Sequence, residues 1–138
     1  MTQTKTIADA GSIPAGSTFL EFDMTINFLY GFLCALLGHT GVWYCYNSQL
    51  VWSWWADKVL LPNVIFGIPA GVAFWYSTKY LMVETNALWS VRFLAFAASY
   101  FIFPVLTWFH LGESAFTVKT IACTVLALLM ISIQVFVK

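Results

Sequence analysis

A chain of 138 residues that is 61% hydrophobic and 9% charged, with a mean hydropathy of +0.82, lies well outside the composition of water-soluble domains, which are roughly half apolar and a quarter charged. The formal net charge is zero, which excludes the polybasic character expected of a nucleic-acid binder or of a docking patch for anionic lipid. Cys34, Cys45 and Cys123 form no CxxC pair and read as packing residues inside apolar segments, with no disulfide framework and no metal site.

Residues 1–23 form a polar tail in which Lys5 is the only basic residue, opposed by Asp9, Glu21 and Asp23. This matches neither a secretory signal, which joins a basic start to an apolar core, nor an Arg-rich transit peptide. Residues 11–17, Gly-Ser-Ile-Pro-Ala-Gly-Ser, have the composition of a flexible connector. Four apolar stretches follow, over 24–46, 59–80, 87–109 and 120–137. A bilayer core about 30 Å thick is crossed by roughly 20 apolar residues in a helix. The backbone must satisfy its own hydrogen bonds there, and these runs do not alternate as barrel strands would. The expected fold is therefore an all-α integral membrane bundle of four transmembrane helices over 24–138. No carboxylate lies inside any of the four stretches.

Short connections make sequential helices antiparallel neighbours and put both termini on one side of the membrane. The first connection carries Trp52, Trp54 and Trp55; such rings collect at headgroup depth, so this loop reads as an interfacial anchor, with a ligand site as the alternative. Lys5, Lys79, Arg92 and Lys138 fall on the terminus side, against Lys58 and Lys119 on the other. That bias weakly favours cytoplasmic termini in a plasma or inner membrane and leaves dual insertion open. Gly31, Ala35 and Gly38 line one face of the first helix, and Gly67 and Gly71 form a GxxxG pair around Pro69. Small residues let helix backbones approach closely. Pro69 and Pro104 each remove a helical hydrogen bond and predict kinks.

His39 is the one titratable group deep in a span apart from the cysteines. Histidine titrates near neutral pH and intramembrane ionisable groups are functional candidates; a neutral imidazole bonded to a neighbouring helix is the structural alternative. Arg92 lies a few residues into the third span, where it either snorkels to the headgroups, binds an anionic substrate or pairs with Glu84. His110, beside Glu113, reads as interfacial. Ser132 and Gln134 are candidates for interhelical hydrogen bonds. No nucleophile elbow, zinc-protease motif, paired carboxylates or phosphate loop is present, so no catalytic residue, no metal and no cofactor is expected.

The run 104–113, Pro-Val-Leu-Thr-Trp-Phe-His-Leu-Gly-Glu, followed by a six-residue turn and a purely apolar last helix, resembles the C-terminal half of a drug/metabolite transporter repeat. Leu111, Gly112 and Glu113 form the turn that carries the resemblance. Four helices in this length are similar to the single-repeat members, the small multidrug resistance proteins. The resemblance implies a homodimer of eight helices, with the first three helices of each copy lining a pathway and the fourth making the dimer. It also marks a departure: those exporters carry an acidic residue in the middle of the first helix, whereas here Glu21 and Asp23 precede the span and His39 is the nearest titratable group.

The resulting expectation is a transporter-like oligomer in the lipid bilayer that moves a small metabolite or organic solute. Trp43, Tyr44, Trp75 and Tyr76 would line or anchor its pathway, and His39 and Arg92 would be its polar residues. A non-transporting accessory subunit of a larger membrane complex is the alternative from another class, and a lipid- or pigment-binding scaffold is a third.

Overall fold

The computed structural model describes residues 26–137, so the tail over 1–23 and Lys138 lie outside the described residues. All four expected spans are helices: α1 Ile26–Val51, α2 Leu60–Thr85, α3 Leu88–Leu111 and α4 Val118–Phe136. Among the described residues there is no strand. At 1.5 Å per residue the helices are about 28 to 39 Å long, so the first three reach past a hydrocarbon core of roughly 30 Å. For that reason α1 runs beyond the apolar stretch to Val51. Hydropathy marks where lipid ends; the helix continues into the headgroups because its backbone bonds remain satisfied. The Trp52 N–H there donates to the Ser48 carbonyl at 2.8 Å, and the Asn47 side-chain amide adds a bond to the Trp43 carbonyl at 2.9 Å.

Local chemistry sets the ends. Asn86 closes α2 in the left-handed region, at φ 51°, its N–H bonded to the Met82 carbonyl at 3.0 Å. Gly112 closes α3 likewise, at φ 69°, donating to the Trp108 carbonyl at 3.1 Å. Only glycine enters that region without penalty, which gives the glycine of the Leu111-Gly112-Glu113 turn a structural task. Thr117 caps α4 by accepting the Thr120 N–H at 3.2 Å. Within α2 the residues Asn63–Gly67 form a π-helical stretch. It ends two residues before Pro69, which has no N–H for the Ile65 carbonyl four residues back, so the ladder loosens there. Pro104 lies inside α3.

α1 packs against both α2 and α3, while α4 packs chiefly against α3. Gly31, Ala35 and Gly38 are buried on α1, opposite Ala70, Ser77 and Leu81 of α2. The approach is close. A Cβ on Gly31 would stand 2.7 Å from Leu81 Cγ, one on Gly38 2.8 Å from the Phe74 ring, and one on Gly41 2.8 Å from Ala70 Cβ. Close van der Waals contact of this kind is the main cohesive force between helices in lipid. The Gly67–Gly71 pair behaves differently: Gly67 has ordinary room beside Cys45 Sγ at 3.6 Å, and a Cβ on Gly71 would meet nothing within 4 Å. Near the α2–α3 turn a core of Leu81, Val91 and Leu94 gathers Phe28 of α1 and Ile131 of α4. Ala127 is the one fully buried residue among the described residues of α4.

Candidate functional site

Three helices meet at His39. Its Nε2–H donates to the Ala95 carbonyl of α3 at 2.8 Å, and its ring stands edge-on to Phe74 of α2, with centroids 4.9 Å apart. Gly38 next to it has no side chain, and the missing Cβ lets Phe74 come in. The side chain expected to be either structural or functional therefore already holds one structural bond, which ties α1 to α3.

Phe74 is shared with a groove of about 530 Å3 between α2 and α3. Trp75, Thr78, Lys79 and Met82 form its α2 side, and Arg92 faces it from α3. Gly71 closes its far end with no bulk of its own. Lys79 Nζ sits 5.6 Å from the Trp75 ring centroid. Among the described residues no carboxylate lines the groove, and Arg92 forms no ion pair with Glu84 or any other group. Two cations thus face one concave wall of aromatic and thioether surface. Lys79 stands six residues before the end of α2 and Arg92 four residues after the start of α3, depths of about 9 and 6 Å along the helices.

Trp43 and Tyr44 belong to a separate centre at the opposite end of the bundle. Trp43 is 1% exposed; its Nε1–H donates to Thr107 Oγ1 at 3.1 Å, and its ring stacks on His110 at 5.3 Å. The Tyr44 hydroxyl and His110 Nε2 share a hydrogen bond of 2.8 Å. Tyr44 also stacks on Trp52 at 6.0 Å and on Phe66 at 5.2 Å. Trp55 is buried beside Phe66, while Trp54 carries Lys58 Nζ at 4.5 Å over its ring. The tryptophan loop is in this way folded back onto the ends of α1, α2 and α3. Such a packed aromatic cap locks the bundle end.

Of the six residues expected along a pathway, Arg92 and Trp75 share the groove and His39 adjoins it through Phe74. Trp43 and Tyr44 sit in the cap. Tyr76 lies on an outer face of α2, where its ring meets Trp75 at 5.1 Å and Tyr80 at 6.3 Å. The sequence alone marks Arg92 as a candidate anion-binding residue, Lys79 only as a topology charge, and gives Thr78 and Phe74 no role; nothing in a linear reading puts Lys79 and Arg92 on one wall. One buried hydroxyl is also notable: Ser77, 2% exposed, lies on the α1-facing stripe of α2 between Phe74 and Leu81, and its Oγ has no hydrogen-bond partner.

Compared with known proteins, the chain matches no protein-family model, and no curated protein and no solved structure shows significant similarity to it. The geometry therefore carries the functional reading.

Proposed function

We propose that this chain is a transporter-like membrane protein, working as an oligomer, whose α2–α3 groove receives a small organic anion. One observation carries the reading: Arg92 and Lys79 face a single groove that no carboxylate lines among the described residues. A cation within a span is stable where it meets water, a lipid phosphate or a counter-ion, and an anionic cargo would supply that counter-ion. The walls of Phe74, Trp75 and Met82 suit an apolar or aromatic body. The groove is open in one copy of the chain, and a second copy would enclose it, in keeping with the dimer that the drug/metabolite transporter resemblance implies. The first helix lacks a carboxylate, so the reading involves no cation/proton exchange, and it assigns no catalytic step. His39 acts as a positioning residue that holds Phe74 and α3 in register.

Flux in proteoliposomes tests this. A radiolabelled aromatic sulfonate should enter, and an aromatic quaternary ammonium should not. Arg92→Ala and Lys79→Ala should each lower sulfonate flux about tenfold, the worth of one charge-assisted contact. Flux left unchanged by both Arg92→Ala and His39→Ala would remove the site assignment, and entry of the ammonium alone would reverse the charge reading.

A second reading, a non-transporting subunit of a larger complex, is favoured by α4, whose described residues bury only Ala127 and leave a long apolar face uncovered. Native mass measurement after mild detergent extraction separates the two. A homodimer supports the transporter, and other polypeptides in fixed ratio support the subunit.

A further inference from the structure

We infer that the trough between α3 and α4 is a binding site for one amine-bearing zwitterionic phospholipid, of the phosphatidylethanolamine class. The site is separate from the α2–α3 groove and does not depend on transport.

Because α4 packs chiefly against α3, one side of their contact is left as a trough in two joined parts. The first, about 300 Å3, is walled by Phe103 and Thr107 of α3 and bordered by Glu113 of the turn and Lys119 of α4. Tyr100 and Cys123 line both parts. The second, about 420 Å3, runs on along Leu126, Met130 and Ile133. One end therefore carries a cation and a carboxylate, and the rest is apolar.

The depth of that charged end follows from the aromatic cap. His110, at the end of α3, lies against Trp43 and Trp52, so the α3–α4 turn stands level with the tryptophan loop. Tryptophans of this kind mark the headgroup layer. Among the described residues neither Glu113 nor Lys119 is ion-paired. From Cys123 to Ile133 α4 advances about 15 Å, the depth of one leaflet of a roughly 30 Å core.

The complementary molecule has a phosphate for Lys119, an ammonium for Glu113 and an acyl chain for the apolar run. A primary ammonium donates hydrogen bonds to a carboxylate. A trimethylated choline has no N–H to donate, and a glycerol headgroup brings no cation at all. The opposite flank of α4, where Ile121, Val125 and Leu128 are exposed, stays free for contact with another chain.

The test is native mass spectrometry of the purified full chain after exposure to equal amounts of phosphatidylethanolamine, phosphatidylcholine and phosphatidylglycerol. One ethanolamine lipid should be retained per protomer, preferred over choline lipid about tenfold, a ratio that one charge-assisted hydrogen bond supports. Glu113→Gln should abolish that preference, and Lys119→Ala should lower retention of all three lipids. Cys123→Trp, at the junction of the two parts, should expel the lipid with both charges intact. Circular dichroism reports whether each variant is folded, and Glu113→Gln decides the matter even if Cys123→Trp does not fold. Equal retention of the three lipids by the unmodified chain, or an unchanged preference in Glu113→Gln, would overturn the inference. So would a Cys123→Trp variant that loses its dimer while keeping its lipid, because the trough would then hold a second copy.

Discussion

Adding one methyl group to α1 and one to α2 should have opposite effects on stability. A Cβ on Gly41 would stand 2.8 Å from Ala70 Cβ and 3.0 Å from the Phe66 carbonyl oxygen. Neither atom can rotate away, because one is fixed to the backbone and the other belongs to it. The α1 and α2 backbones must separate locally, and overpacking of this kind costs about 1 to 3 kcal/mol. Replacing glycine by alanine in a helix also gains about 1 kcal/mol of propensity. That gain is common to Gly71→Ala, where the new Cβ meets nothing within 4 Å. The difference between the two variants therefore isolates the clash. Gly71→Ala should be neutral or more stable than the parent, and Gly41→Ala should unfold about 5- to 150-fold more readily than Gly71→Ala, the equivalent of 1 to 3 kcal/mol. Reversible unfolding in mixed micelles, followed by helical circular dichroism, reads the difference. Equal stability of the two variants would refute the close approach of α1 and α2 at Gly41.

Other expectations use the same unfolding measurement. Ser77→Ala removes a buried hydroxyl that has no partner, so stability should be unchanged or raised by up to about 1 kcal/mol; a loss of that size would mean that the hydroxyl is bonded. Thr107→Val leaves the buried Trp43 N–H without its 3.1 Å acceptor and should destabilise by about 1 kcal/mol, as should Tyr44→Phe through the lost bond to His110. If Thr107→Val and Tyr44→Phe were both silent, the cap would not be a locked unit. Gly112→Ala should cost about 1 kcal/mol despite open space around it, because φ is 69°. Gly112→Asn, which tolerates the left-handed region, should cost less, and the reverse order would refute the capping argument.

Much of the architecture was legible in the chain itself, for a physical reason. Each span must bury about 20 apolar residues and satisfy its own backbone bonds, and both requirements are local. The existence of four helices and the packing faces at Gly31 and Gly38 follow from that. Turn chemistry at Gly112 is local as well. The end of α1 extends past its apolar stretch because hydropathy falls at the headgroups while backbone hydrogen bonding continues, as from the Trp52 N–H to the Ser48 carbonyl.

What depends on which helix lies beside which was decided only by the tertiary structure. GxxxG spacing marks Gly67 and Gly71 as readily as it marks a true contact, yet Gly71 faces open space and the unremarked Gly41 meets Ala70. Arg92 and Lys79 are 13 positions apart and become neighbours only because α2 and α3 turn back on each other over Asn86. Trp43, Tyr44 and His110 likewise come from two helices, and nothing in their spacing announces a shared cap. Their meeting rests on the packing of α1 against α3, a long-range property, whereas the apolar spans record the solvent that each segment must face.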